Sequence, residues 1–323
     1  MSVIATNADR GAEAIAPENG TRFPVRRFEP HPFFRNPHLA TVAAACWPRD
    51  YSNLPAATER LFEVEPGTRL LAKCHWQEAP CLYATLVLVH GLEGSSESPY
   101  MLGIAERAFQ AGFNVLRMNQ RNCGGTEHLT PTLYNSGLSG DYRAVLEELI
   151  ARDELPEVFF SGYSIGGNLV LKMAGEFAGH PPRELRGICA VSPCLDLASC
   201  ADGSGQPRNL LYESYFLLSM RNRMQRKAKL FPERYRADRF SYPRTLREWD
   251  DDPLVPIASF RNSSIEENPF IVLVAPQYGG HCAFISSEGG NERFWAEQCV
   301  VEFCTSQSMS YLRMPSGKRR SVC

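Results

Sequence analysis

Apolar residues fall into short runs through the middle of the chain, and amphipathic stretches separate these runs. Residues 85–89, 113–118 and 185–191 are mainly apolar over the length of a strand. Between them, residues 99–111 and 141–151 repeat apolar positions at helical spacing. Strands that are apolar on both faces and alternate with helices are typical of a mostly parallel sheet covered on both sides. The pattern therefore predicts an α/β fold.

Two more strands and a last helix complete the predicted pattern. Residues 157–161 and 270–275 have the length and apolar character of strands. Trp295, Cys299 and Phe303 recur every four residues, which indicates a helix. In an open α/β sheet, sites lie at the carboxyl ends of the strands, so residues that follow these strands are candidates for chemistry.

Three segments depart from the alternation. Residues 1–28 are polar and aperiodic and predict a flexible N-terminal arm, residues 29–305 form the folded domain, and residues 306–323 form a C-terminal tail. Within the domain, residues 200–248 carry 11 Lys and Arg against 5 Asp and Glu. We expect a helical cap insertion there, whose charges lie on a solvated face or attract anionic substrates or a membrane surface.

Charge, hydropathy and cysteine spacing exclude several classes of protein. The net charge of −2 argues against a nucleic-acid partner held by a broad basic surface. No run of 18 apolar residues predicts a membrane span, and the N-terminus lacks the pattern of a signal peptide. The 11 cysteines have no CxxC spacing. We therefore expect reduced thiols in a cytoplasmic protein rather than a zinc site or a disulfide framework.

The sequence Gly162–Gly166 reads G-x-S-x-G, and it follows one predicted strand and precedes a helix. In that setting a nucleophilic serine stands on a sharp turn between strand and helix. Side chains in place of the two glycines would collide with nearby backbone, so glycine is required there. The motif predicts Ser164 as a nucleophile. The alternative interpretation is a glycine-rich turn without chemistry.

A serine hydroxyl is a weak nucleophile and needs a base beside it. His281 follows the predicted strand 270–275, at the sheet edge where Ser164 also emerges. We therefore predict His281 as the general base.

Stabilisation of a tetrahedral oxyanion needs two backbone N–H donors aimed at one point. Ile165 follows the predicted nucleophile directly, and Leu92 lies in the loop after residues 85–89. We predict these two N–H groups as the oxyanion hole. His90, in the same loop, is expected to brace it.

Several motifs occur in an order that closely resembles one branch of a known superfamily. The motifs are Asn36–Thr41, His90–Ser95, Asn119–Thr126, Tyr134–Gly137, Gly162–Asn168 and Gly279–His281. Together they resemble the YheT-like branch of the α/β-hydrolases over residues 29–305. The resemblance implies an α/β-hydrolase fold and a carboxylic-ester hydrolase. Animal relatives act on acylglycerols or phospholipids and carry an N-terminal membrane helix, for which this sequence has no pattern.

The resemblance also indicates the acid of a Ser-His-Asp triad. Asp251–Pro256 resembles the family's Asp-Asp-Pro-x-x-Pro motif, and Asp252 takes the position of the acid. Asp252 lies only 88 residues after Ser164, which is short by roughly forty residues, about one strand and its crossover. Either one late sheet strand is missing or the sequence omits a segment. Asp196, which follows residues 185–191, is the alternative acid or a helix cap.

These residues predict a serine hydrolase that cleaves carboxylic esters, lipid-like or with short or medium acyl chains, through an acyl-enzyme. Its substrate is a small-molecule ester, and neither a metal nor an organic cofactor is implied. An acyltransferase on the same fold, in which an alcohol or thiol replaces water, is one alternative. A degenerate hydrolase fold that serves as a binding module is the other.

Overall fold

A computed structural model describes residues 14–15, 26–235, 268, 270–274 and 276–309 of the chain. The strands are β1 (Ala14–Ile15), β2 (Thr58–Glu65), β3 (Thr68–His75), β4 (Thr85–Val89), β5 (Asn114–Met118), β6 (Val158–Tyr163), β7 (Leu185–Val191) and β8 (Leu273–Val274). The α-helices are α1 (Pro37–Cys46), α2 (Pro99–Gln110), α3 (Ser139–Ala151), α4 (Ile165–Glu176), α5 (Leu197–Ser204), α6 (Leu210–Leu230) and α7 (Trp295–Gln307).

The main sheet has six strands in the order β2-β3-β5-β4-β6-β7. The pairs β2–β3 and β3–β5 are antiparallel, whereas β5, β4, β6 and β7 run parallel to one another. Parallel neighbours need a crossover connection, and helices supply it between these strands. The predicted α/β fold with a mostly parallel sheet is confirmed.

Helices bury both faces of this sheet, which explains the continuous apolar runs of its strands. Along β4, Leu86 and Leu88 belong to the cluster that α2 and α7 cover. Val87 and Val89 alternate with them and belong to the cluster under α3 and α4. Each fully buried Leu or Val side chain contributes about 1.5–3 kcal/mol to folding. The two clusters fix the sheet rigidly beneath the loops at its carboxyl edge.

The last predicted strand departs from the expected arrangement. The sequence predicts a strand of an open sheet at residues 270–275, but of the described residues 270–274 only Leu273 and Val274 form a strand, which pairs antiparallel with Ala14 and Ile15. Within the described residues β7 is the last strand of the main sheet, and β8 does not join it. The backbone groups of β8 are instead hydrogen-bonded to β1 in a separate two-stranded sheet. The loss of a strand before Asp252 stays a prediction, because residues 236–267 lie outside the described residues.

The predicted arm is packed at its end. Phe28 is buried against Phe284 and Trp295, with ring centroids 5.9 and 5.2 Å apart. The carbonyl of Arg26 accepts a hydrogen bond from Trp295 Nε1 at 3.1 Å. Burial of an aromatic side chain stabilises the packed position of residues 26–28, although the polar composition of residues 1–28 predicts a flexible arm. Residues 1–13 and 16–25 lie outside the described residues.

The predicted cap region contains helices, as its pattern indicates. Helix α6 lies in it and α5 ends in it, whereas residues 236–248 are outside the described part of the chain. Most of the predicted tail, residues 310–323, also lies outside that part. Over the residues described, no helix has the length and apolar character needed to cross a membrane.

Candidate active site

Ser164 stands on a strained turn between β6 and α4. Its φ of 53° and ψ of −121° are unfavourable for a residue with a side chain. A Cβ at Gly162 would overlap the carbonyl group of Gly166, and a Cβ at Gly166 would overlap the carbonyl oxygen of His90. Only glycine allows these close approaches. The turn has the predicted geometry of a nucleophile elbow.

His281 lies next to this serine. Its Nε2 atom is 3.0 Å from Ser164 Oγ, which is hydrogen-bond distance. Burial lowers the pKa of His281 to about 4, so the imidazole is neutral near pH 7 and can accept a proton. The structure therefore brings together the predicted nucleophile and the predicted base.

A residue that the sequence reasoning missed holds the histidine in place. The backbone N–H of His281 donates to Thr41 Oγ1 at 3.0 Å. The Thr41 hydroxyl in turn donates to the carbonyl of Pro37 at 2.8 Å, and the Asn36 side chain caps α1. A Cβ at Gly280 would overlap Thr41, so glycine lets the loop lie against α1. The motif Asn36–Thr41 was the available signal for this role.

The second ring nitrogen of His281 has no hydrogen-bond partner among the described residues. Asp252, the predicted acid, lies outside them. Asp196 is exposed and lies directly before α5. Its carbonyl accepts from the N–H of Cys200 at 3.0 Å, in the first turn of α5. This backbone bond fits the alternative interpretation of Asp196 as a helix cap.

The loop after β4 places its backbone close to the serine. A Cβ at Gly91 would lie 3.2 Å from Ser164 Cβ, and Gly91 N–H donates to Tyr100 Oη at 2.8 Å. Leu92 lines the same cavity as Ser164. Ile165 is the first residue of α4, where backbone N–H groups lack helical acceptors. The two predicted oxyanion donors thus belong to segments that flank Ser164.

His90 braces this loop from inside, as the sequence predicted. Its Nε2 accepts from the N–H of Gln120 at 3.1 Å, so Nδ1 carries the hydrogen and donates to the Gly91 carbonyl at 2.7 Å. Burial lowers the pKa of His90 to about 4, which keeps the ring neutral. His90 is fully buried, and among the described residues its ring nitrogens contact Gly91 and Gln120 rather than Ser164.

A cavity of about 280 Å³ opens over Ser164 and His281, and its lining is mainly apolar. Further lining residues are Thr41, Ala44, Ala45, Tyr215, Phe216, Phe284 and Phe294. They come from α1, from α6 and from the segments around α7. Pockets of this kind hold the apolar part of a small ligand, while a few polar groups fix its orientation.

Two cysteines also lie beside the serine, and the sequence did not single them out. Cys194 Sγ is 3.5 Å from Ser164 Oγ. Cys282 lines the cavity, and burial raises the pKa of its thiol to about 12. A thiol protonated at neutral pH is a poor nucleophile. Over the described residues, no cluster of three or more His, Cys, Asp or Glu side chains could hold a metal ion.

The matches with known proteins agree with this geometry. A family model described as the alpha/beta hydrolase fold matches residues 84–212. YheT of Escherichia coli strain K12, named as an esterase, is 28% identical over 69% of this chain and 66% of its own length. The mouse phospholipase ABHD3 is 22% identical over 67% of this chain and 60% of its own. The chain thus matches less than two thirds of each of these relatives.

Structural similarity gives the same class. The esterase Pf2001 of Pyrococcus furiosus superposes with a TM-score of 0.53 and 16% identity, over 80% of this chain and 96% of that one. At this identity the likeness concerns the fold alone. The fold is thus that of the α/β hydrolases. Within that class the chain is a relative of YheT, and the resemblance expected from its motifs is confirmed.

Proposed function

We propose that this protein is a serine hydrolase that cleaves carboxylic esters through an acyl-enzyme. The observation that carries the proposal is the 3.0 Å contact between Ser164 Oγ and His281 Nε2 at the base of an apolar cavity. A serine hydroxyl next to a neutral imidazole is the pair that nucleophilic catalysis requires. Relatives named as an esterase and a phospholipase support ester hydrolysis in general.

The proposed mechanism uses the groups of this site in two steps. Ser164 attacks the acyl carbon while His281 takes its proton, and the protonated His281 then gives that proton to the leaving alcohol. The N–H groups of Leu92 and Ile165 stabilise the oxyanion, and the N-terminus of α4 adds positive potential there. A water molecule then hydrolyses the acyl-enzyme, with His281 as base. Asp252 holds the imidazole tautomer.

The cavity favours esters with an apolar acyl or alcohol part. Its volume of about 280 Å³ and its lining by Tyr215, Phe216 and Phe284 suit a lipid-like or a short to medium acyl chain. Arg49, Glu93 and Glu297 also line the cavity, but most of its surface is apolar. Aromatic and aliphatic walls of this kind select by size and apolar area rather than by charge.

A fluorophosphonate probe and a set of p-nitrophenyl esters test the proposal together. Only an activated serine reacts with the probe, so we expect one label per chain on the peptide that contains Ser164, and hydrolysis of the esters. Added acceptor alcohols distinguish the acyltransferase alternative, because transfer would give new esters at the expense of free acid. Absence of both labelling and turnover would leave the fold as a binding module.

Exchange of the predicted acid should have a large effect. We expect Asp252→Asn to lower kcat about 10⁴-fold, because the asparagine amide cannot hold the tautomer that accepts the serine proton. The matched control Asp196→Asn should cost less than about tenfold, since a cap change leaves the imidazole in place. Steady-state kinetics with one ester measures both. The reverse ranking would assign the acid to Asp196.

The pH dependence of kcat/KM tests the same carboxylate independently. His281 must be neutral to accept the serine proton, so activity is lost as pH falls through its pKa. Burial alone lowers that pKa to about 4, whereas a carboxylate at the second ring nitrogen raises it. With Asp252 in place we expect the acidic limb at about pH 6–7, and in Asp252→Asn a limb nearer pH 4. A limb near pH 4 in the unaltered protein would contradict the triad.

A further inference from the structure

A four-residue turn, Gly91–Gly94, carries the Leu92 N–H. The N–H of Gly94 donates to the carbonyl of Gly91 at 3.1 Å and closes the turn. Glu93 is the third residue of this turn and has a φ of 54°. Turns that need a positive φ at this position normally use glycine or asparagine. A glutamate there is strained, so contacts of its side chain must hold it.

The side chain of Glu93 is buried and has three polar partners. Its Oε1 accepts from Tyr134 Oη at 3.0 Å, and its Oε2 accepts from Ser219 Oγ at 2.6 Å. Arg223 forms an ion pair with Glu93, and both side chains are only 5% exposed. Burial raises the pKa of Tyr134 well above its usual range, so its hydroxyl stays protonated and donates.

Two of these partners come from the cap helix. Ser219 and Arg223 lie on α6, one turn apart, so both bind the Glu93 carboxylate from the same face of the helix. The Arg223 guanidinium also lies 4.6 Å from the centre of the Tyr134 ring and 3.8 Å from Cys123 Sγ. The motifs that contain Glu93, Cys123 and Tyr134 therefore meet around one arginine of the cap.

The peptide group that links Gly91 to Leu92 is fixed at its carbonyl. That oxygen receives hydrogen bonds from His90 Nδ1 and from the Gly94 N–H. In a trans peptide the N–H points opposite to the carbonyl, so these two bonds also set the direction of the Leu92 N–H. The Gly94 bond persists only while Glu93 keeps its strained conformation.

We propose that Glu93 and Arg223 are positioning residues through which the cap helix α6 holds the turn that aims the Leu92 N–H at the oxyanion. The proposal rests on the function proposed above. An oxyanion donor acts only when it is held in advance at 2.7–3.1 Å from the developing charge. The cap is then part of the catalytic apparatus as well as a wall of the cavity.

Kinetics of Glu93→Gln and Arg223→Met test the proposal. We expect kcat to fall about 10- to 100-fold, up to the loss found when one oxyanion donor is removed, with KM changed less than about threefold. Affinity for a trifluoromethyl ketone, which forms the tetrahedral adduct, should fall in parallel with kcat/KM. Fluorophosphonate labelling should become slower but still reach one label per chain. A role in folding alone would change the final labelled fraction instead.

Arg226→Met is the matched control. Arg226 lies on the same helix and pairs with Glu127 at 2.6 Å, so it also fastens the cap to the domain. This pair does not touch the turn at Leu92, and we expect kcat within about twofold of the unaltered protein. An equal loss of kcat in Arg226→Met would overturn the proposal, because it would assign the effect to general docking of the cap.

A rescue variant examines the backbone directly. Glycine adopts a positive φ without strain. We therefore compare two double variants that both contain Arg223→Met. The one with Glu93→Gly should have a kcat at least about tenfold higher than the one with Glu93→Gln. Unchanged kcat in all Glu93 variants, or no recovery with glycine, contradicts the proposal. Should the Glu93 variants fail to fold, Ser219→Ala and Arg223→Lys test the same side-chain contacts with smaller changes, and unchanged kcat in both contradicts the proposal. Failure of the unaltered protein to label or hydrolyse esters refutes the proposed function instead.

Discussion

Replacing Ser164 by alanine is expected to lower the turnover of any ester substrate about 10⁶-fold, the loss found when an enzyme loses a nucleophile that acts within a triad. The physical reason is that the acyl group then has no acceptor, and only the oxyanion donors and substrate binding remain. Turnover is measured against a preparation whose active sites are counted by fluorophosphonate labelling. The variant itself should take up no label.

The substitution Ser164→Ala should remove the hydroxyl without changing the strain of the backbone. Alanine and serine have the same Cβ, so both meet the same strain at a φ of 53°. The thermal unfolding midpoint should therefore stay within a few degrees of the unaltered protein. More than a few per cent of residual esterase activity would assign the nucleophile to another residue.

Replacing His281 by alanine is expected to cost as much, about 10⁶-fold in turnover. The base at 3.0 Å from Ser164 Oγ is lost, and the hydroxyl returns to its ordinary weak nucleophilicity. Fluorophosphonate labelling should disappear with turnover. His180→Ala is the control, because His180 lies on the exposed surface. Normal labelling of the His281 variant would redirect the search to another histidine.

The elbow and the sheet could be predicted because they depend on local patterns. Local signals are the glycine spacing around Ser164 and the apolar runs of β4 to β7. The turn and the strands form where these signals predict them. The position of His281 was also predicted, although β8 does not join the main sheet. What places His281 is the contact with Thr41, made across 240 residues of sequence. The motif Asn36–Thr41 was visible in the sequence, but a local motif does not show which distant residue it contacts, so the role of Thr41 was missed.

The contacts of the cap helix with the rest of the domain could also not be predicted from the sequence. The pattern of residues 200–248 predicts that their 11 basic residues lie on a solvated face or attract anionic substrates or a membrane surface. Arg223 and Lys227 are buried instead, and Lys227 Nζ donates to the carbonyl of Glu127 at 3.1 Å. A buried cation needs partners that come from distant segments, which composition cannot reveal. The acid stays a prediction, since Asp252 lies outside the described residues.

The contact between Thr41 and His281 has a consequence for the order in which the protein matures. During synthesis Ser164 leaves the ribosome before His281, which follows it by 117 residues. Until His281 is in place, the serine has no base beside it. On the proposed mechanism, we expect Ser164 to become reactive only when the loop of His281 docks on α1 through the contact with Thr41. We therefore expect a nascent or partly folded chain to carry an unactivated Ser164.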